Sequence, residues 1–254
     1  MTGSLSGKFA LVTGSSRGIG AASAVRLARE GASVLVHYNS SPDRAAEVVE
    51  SIRKSGGEAE AIGADLSHQE GASNLIAQLD DSFQGRFAGK LDVLVNCAGI
   101  GRFGSLTECS LEDFDELYQV NVRSLFVLSQ EAARRMLITG WGRIINIGSC
   151  LGERIPMPAI ALYSSTKFAV NGLTRGWSRD LGPYGITVNC VQPGPTDTEL
   201  NPASGPNSGI QRQLTSLGRY GKPEEIADAV AFLAQPSSAF INGENLTVDG
   251  GWNA

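Results

Sequence analysis

The sequence predicts an α/β protein: a single-domain, doubly wound parallel sheet of about seven strands with helices on both faces. Three observations carry this. Short apolar runs alternate with amphipathic helical stretches along the chain, the order that a parallel sheet with crossover helices needs. The first unit is a strand, a Gly-rich turn and a helix, within residues 9–28. No linker, low-complexity tract or repeat divides the chain, so residues 1–254 are read as one domain.

Composition narrows the class. Apolar residues make up 42% of the chain, enough to bury a sizeable core, and 31 glycines allow many tight turns. The net charge of -5 gives no basic footprint for nucleic acid or an anionic membrane surface. No apolar run approaches the ~20 residues of a membrane span. Residues 1–8 are too short and polar for a signal peptide. Cys97, Cys109, Cys150 and Cys190 form no C-x-x-C pair, so they read as reduced thiols of a cytoplasmic protein. His37 and His68 stand apart without flanking ligands, which argues against a zinc site.

Residues 9–12 form the first strand. Thr13-Gly14-Ser15-Ser16-Arg17-Gly18-Ile19-Gly20 follows and opens a helix, the order a phosphate cradle needs. Gly14 permits the turn, Gly18 lets the backbone approach a pyrophosphate, and Gly20 allows close helix–strand packing. The second strand, 33–38, lacks the acidic residue that reads the ribose 2′-OH of NAD about 20 residues past such a turn. Asn39 and Ser40 stand there instead. With Arg17 they can hold a 2′-phosphate, which favours NADP(H) over NAD(H); alternatively Arg17 caps the turn or pairs with a surface acid. A helix is expected over 42–55 and a third strand over 58–64. Asp65 and Leu66 then meet an adenine, or Asp65 is the N-cap of the next helix, expected over 69–83.

The fourth strand, 91–95, ends in Asn96-Cys97-Ala98-Gly99, small residues that suit a backbone close to a ligand. One long helix is expected over 111–138, with Asn121 in its middle. A mid-helix Asn is a poor helix former. It marks either a kink that exposes a carbonyl to water or a buried amide satisfied by a neighbouring strand. The fifth strand, 143–148, leads into Ser149; the sixth, 186–191, leads into Gln192-Pro193-Gly194-Pro195-Thr196-Asp197-Thr198. Residues 197–216 carry a breaker-rich segment read as a substrate lid, the alternative being a disordered surface loop. A helix over 224–233 and a seventh strand over 245–248 close the chain.

Tyr163 and Lys167 stand four apart at the start of a helix, so they share a face. A phenol holds its proton too tightly for neutral-pH chemistry, and a nearby ammonium favours its ionised form. Ser149, just past a strand end, can donate to a carbonyl oxygen that becomes an alkoxide. The trio converges where open α/β sheets bind ligands. The bland alternative is two surface residues one turn apart.

Taken together, T-G-x-x-x-G-x-G at residues 13–20, N-x-A-G at 96–99, Asn121, Ser149, Tyr163-x-x-x-Lys167, Pro193-Gly194 and D-G-G at 249–251 resemble the short-chain dehydrogenase/reductase family in its single-domain, Rossmann-type form. The overall look is closest to 3-oxoacyl-[acyl-carrier-protein] reductases and to ketone or sugar dehydrogenases. The resemblance implies Tyr163 as proton donor and base, and Lys167 as its electrostatic partner and ribose ligand. It implies Ser149 as the carbonyl's partner and Asn121 as holder of a water. The turn over Pro193, Gly194, Thr196 and Thr198 would contact the nicotinamide. The family's homotetramers fit the apolar faces of the long helices and Trp252. Two departures stand out: Cys97 replaces a frequent Asn, leaving its reactivity open, and Thr196 replaces an aliphatic residue. The expected partner is a small carbonyl or alcohol, with Gly101, Arg102, Phe103, Cys150, Leu151, Ile155 and Met157 as pocket candidates. An NAD-dependent alcohol or sugar dehydrogenase, and a non-catalytic NADP-binding redox sensor, stay open beside it.

Overall fold

A computed structural model describes residues 3–254. Met1 and Thr2, part of the 1–8 stretch read above, lie outside the described residues. Seven parallel strands form one sheet: β1 (Phe9–Val12), β2 (Ser33–Tyr38), β3 (Glu58–Gly63), β4 (Val93–Asn96), β5 (Gly142–Ile147), β6 (Ile186–Pro193) and β7 (Asn245–Val248). Their order is β3-β2-β1-β4-β5-β6-β7. The chain therefore winds outward from β1 in one direction, returns, and winds the other way from β4. The reversal leaves a crevice beyond the carboxyl ends of β1 and β4, where such sheets take ligands.

Period-2 alternation splits the core into two layers. Ala10, Val12, Val34, Val36, Val93 and Val95 pack under α1 (Gly18–Arg29), α2 (Pro42–Lys54) and later α8 (Pro223–Ala234). Phe9, Leu11, Leu35 and Leu94 face the other way, under α3 (Gly71–Leu79) and α5 (Ser124–Thr139). Leu11, Leu35 and Leu94 sit side by side in register and are fully buried. Each such leucine contributes about 2–3 kcal/mol. Among the described residues no helix is long and apolar enough to cross a membrane.

Three elements differ from expectation. The helix expected over 69–83 is only α3. Beyond it, Phe83 and Gln84 take left-handed backbone angles, φ 52° and 57°, so Phe83 reaches the core from a turn and stacks against Phe87. The single helix expected over 111–138 is α4 (Leu111–Tyr118), one π-helical turn at Gln119–Arg123, and α5. A π-turn adds one residue and shifts the face by a fraction of a turn, which a broad apolar stripe conceals. The breaker-rich segment holds a seven-residue helix, α7 (Ser208–Leu214), after the long α6 (Ala161–Leu181). Seven residues are too few for periodicity to show.

Candidate active site

The Gly-rich turn is built by close contacts. Gly14 is left-handed (φ 62°), and a Cβ there would lie 2.8 Å from the Ala98 Cα across the β1/β4 crevice. A Cβ on Gly20 would come within 2.3 Å of the Gly14 carbonyl, so α1 docks on the turn only through glycine. Gly18 (φ 56°) faces the Thr198 methyl, 3.3 Å from its Cβ position. Ser16 and Ile19 are half-buried, Ile19 against the core. No side chain caps the start of α1 and no acid lies in its first turn. Its first N–H groups are thus left for an anion, which fits a dinucleotide's pyrophosphate.

Two side chains hold this turn: Thr13, its first residue, and His37, which sequence reasoning did not assign to it. The Thr13 hydroxyl accepts from the N–H groups of Cys97 (2.9 Å) and Ala98 (3.0 Å), tying the end of β4 to the turn. His37, 2% exposed on β2, accepts from the Gly14 N–H at 3.0 Å through Nδ1. Its Nε2 lies 3.0 Å from the Ala64 carbonyl, which fixes that nitrogen as the protonated one in the neutral ring. Burial pushes the His37 pKa down to about 4.

A depressed histidine pKa leaves the native state fully stabilised above the unfolded value and weakens it as pH falls. Between pH 6.5, the unperturbed value, and about 4, protonation should cost on the order of 3 kcal/mol. His37→Gln keeps one donor and one acceptor without titrating. Urea midpoints of wild type and His37→Gln should diverge across this window, the wild type falling more steeply; parallel curves would clear His37 of the effect.

Lys167 and Ser149 lie at the end of β5, with the Tyr163 ring beside Lys167. Lys167 is 6% exposed, and its Nζ donates to the Ile147 carbonyl at 3.0 Å. The same Nζ stands 5.7 Å from the Tyr163 ring centroid. Ser149 follows two residues after Ile147 and is also buried. Its Oγ accepts from the Leu151 N–H at 3.1 Å, leaving the hydroxyl proton to donate. The Cys150–Gly152 turn packs on α6: Asn171 donates to the Gly152 carbonyl at 3.0 Å, and a Gly152 Cβ would lie 3.2 Å from Lys167. Ser149 is thus positioned against the helix that carries Tyr163 and Lys167. Ala159, just before that helix, is left-handed (φ 64°), a strain of about 1 kcal/mol.

Asn121 sits in the π-turn, 2% exposed. Its side chain accepts from the Ile100 N–H at 2.9 Å and donates to the Ile100 carbonyl (3.0 Å) and Thr166 Oγ1 (3.2 Å). The helix is distorted there, and the buried amide is satisfied by the Ile100 loop and by α6 rather than by a neighbouring strand. Gly99 lies between Asn121 and Lys167, its Cβ position 3.3 Å from Asn121 Oδ1 and 3.8 Å from Lys167 Nζ.

Other positions differ in role from expectation. Asn96 is buried, and its amide N–H groups donate to Ser129 and Asn146, both at 2.9 Å, tying β4 to α5 and β5. Leu66 is a core residue, leaving only its backbone at the crevice. Asp65 is not the N-cap of α3, which begins after Glu70. Asp65 instead accepts from the Ser67 hydroxyl and N–H, at 2.7 and 2.9 Å. The Ser67 hydroxyl, against partial burial, holds its carboxyl below the usual range. Thr196 is buried and donates to the Gly194 carbonyl at 3.0 Å, so the departure from an aliphatic residue braces the Pro193–Gly194 turn. Gly194 abuts Asp249: a Cβ on this glycine would lie 2.6 Å from the Asp249 Cα, which seats the D-G-G end under the turn. Trp252 is 5% exposed within the subunit and offers no surface. Burial pushes the Cys97 pKa up to about 12 and so disfavours its thiolate, despite the nearby Lys167 charge.

Arg17 pairs with Glu199 at 3.0 Å, the surface-acid alternative raised for it. Asn39 and Ser40 are exposed at the end of β2. Above Tyr163, the Phe103 ring lies 5.5 Å away and is 61% exposed, with Leu200 close to Gly101 beside it. An open concavity of about 870 Å³ lies elsewhere, bordered by Tyr118, Phe126 and Leu173, and holds none of the trio.

Comparison with known proteins identifies the family and the fold. Residues 14–253 match the family described as enoyl-(acyl carrier protein) reductase. The chain is 40% identical to the cyclic-di-GMP-binding biofilm dispersal mediator protein of Escherichia coli K12, covering 99% of this chain and 100% of that one. It is 49% identical to a short-chain dehydrogenase/reductase from Serratia marcescens, covering 98% of this chain and 99% of that one with a TM-score of 0.92. A short chain dehydrogenase from Burkholderia cenocepacia, solved in complex with NADP, is 47% identical over 98% of this chain and 99% of that one, with a TM-score of 0.91.

Proposed function

The chain belongs to the short-chain dehydrogenase/reductase family, and we propose that it interconverts a ketone and a secondary alcohol with NADP(H), using Tyr163 as general acid and base. The observation that carries this reading is the buried Lys167, whose Nζ stands 5.7 Å from the Tyr163 ring and donates to the Ile147 carbonyl two residues before Ser149. When bound, the nicotinamide coenzyme supplies or takes the hydride. The chain's own residues handle the proton and the orientation. In the reducing direction Ser149 Oγ–H and Tyr163 Oη–H both donate to the carbonyl oxygen, and the Tyr163 proton moves onto it as it becomes an alcohol. The Lys167 ammonium stabilises the phenolate left behind. Asn121 holds the water through which Lys167 reaches solvent. The cradle of Gly14, Gly18 and Gly20 holds the pyrophosphate, and Arg17, Asn39 and Ser40 the 2′-phosphate. Asp65 and the Leu66 backbone meet the adenine, and the turn from Pro193 through Thr198 the nicotinamide.

Phe103, Ile155 and Leu200 are exposed apolar residues among or beside the expected pocket positions. They favour a ketone or acyl chain over a polyol, with residues 197–216 as the lid. Phe126 and Phe168 expose apolar surface on α5 and α6, which supports a homotetramer, and the free cysteines suit the cytoplasm. NADPH oxidation against a panel of ketones and a 3-oxoacyl thioester tests the activity. Turnover should appear with at least one of them, and NADPH should outperform NADH at equal concentration by about tenfold or more, the worth of a charge-assisted phosphate contact. A strong NADH preference would remove the phosphate role given to Arg17 and Ser40. The similarity to a cyclic-di-GMP-binding mediator raises a second reading, a dinucleotide binder without catalysis. NADPH binding with no turnover on any carbonyl would favour it.

A further inference from the structure

Arg44 was not among the residues that the sequence pointed to, yet it shares a partner with Arg17. Arg17 Nη1 lies 3.0 Å from Glu199 Oε2, and Arg44 Nη1 bonds Oε1 of the same carboxylate. Two guanidinium groups thus grip the two oxygens of one anion. They come from different elements: Arg17 from the Gly-rich turn, Arg44 from the first turn of α2, four residues past Ser40. The gripped carboxylate comes from a third, the segment 197–216, one residue after Thr198, whose methyl rests over Gly18.

This convergence lies at the end of β2, where a dinucleotide presents its adenosine ribose. A carboxylate and a phosphate monoester make the same demand on a guanidinium fork. We propose that Glu199 is an internal stand-in for the coenzyme's 2′-phosphate. In the free protein it occupies the Arg17–Arg44 site and latches the start of the lid onto the Gly-rich turn. A 2′-phosphate must displace it, and in doing so releases the lid. Glu199 and Arg44 are on this account specificity-determining residues. A coenzyme without the phosphate leaves the latch shut.

The inference rests on the NADP(H) reading above. All three side chains are about half exposed, 58% and 47% for the arginines and 54% for Glu199. Solvent therefore screens the pairs, and the effects are modest and largest at low ionic strength.

The test measures binding of 2′,5′-ADP and 5′-ADP to the full chain by calorimetry at low salt, with hydrogen exchange of residues 198–205 as a second readout. Glu199→Gln should tighten 2′,5′-ADP binding about fivefold and leave 5′-ADP binding unchanged. Arg44→Gln should weaken 2′,5′-ADP binding about tenfold, again without effect on 5′-ADP. In wild type, 2′,5′-ADP but not 5′-ADP should speed exchange in 198–205, and Glu199→Gln should show fast exchange with no ligand. Selective 2′,5′-ADP binding that Glu199→Gln leaves unaltered overturns the stand-in while the coenzyme reading survives. Equal affinity for both nucleotides in wild type, or none for either, overturns the coenzyme reading and the stand-in together.

Discussion

Tyr163→Phe should lower turnover by about 10³-fold, the scale of a lost general acid, while coenzyme affinity stays within about twofold of wild type. The substitution removes one oxygen and nothing else. The ring keeps its place beside Phe103, 5.5 Å away, and beside the Lys167 ammonium. The Gly-rich turn is untouched. Steady-state rates with NADPH and a ketone, paired with a direct measurement of NADPH binding, check both halves. A Phe variant that turns over at a near-normal rate would take the proton from some other group and remove Tyr163 from the role.

Lys167→Met should damage binding and rate together. Methionine fills much of the same buried space but has no charge and no donor. The Ile147 carbonyl loses its 3.0 Å partner, a cost of about 1–3 kcal/mol for a buried acceptor left alone. At this chain length that is a fall of roughly 2–12 °C in Tm. Beyond stability, NADPH affinity should drop more than about tenfold, as expected for a lost charged contact, and turnover by about 10²–10⁴-fold. The pattern separates two roles. A variant that melts early but binds NADPH normally would make Lys167 a structural tie between α6 and β5.

Much of the architecture was legible because it is written in local periods. Alternation in β1 sends Ala10 and Val12 to one layer and Phe9 and Leu11 to the other. Four-residue spacing puts Tyr163 and Lys167 on one face of α6 whatever surrounds them. Other elements were hidden for equally definite reasons. The π-turn around Asn121 leaves the apolar stripe intact, and α7 is too short to show a stripe at all. Small residues at 96–99 pointed to a backbone close to a ligand; in the fold the Ala98 backbone lies against Gly14. They could not say that the Asn96 amide turns inward, because that depends on Asn146 standing opposite it in β5.

The sequence alone determined the winding of the sheet, the glycine cradle and the pairing of phenol with ammonium. Their signals are local: the alternation of strand and helix periods, the glycine spacing of the turn and the four-residue step from Tyr163 to Lys167. Tertiary structure alone decided where the longer side chains end. Glu199 meets Arg17 across 182 residues and Arg44 across 155, and no periodic signal spans such distances. Whether a charged group faces a ligand, the core or another charge is set by what the fold carries to its tip.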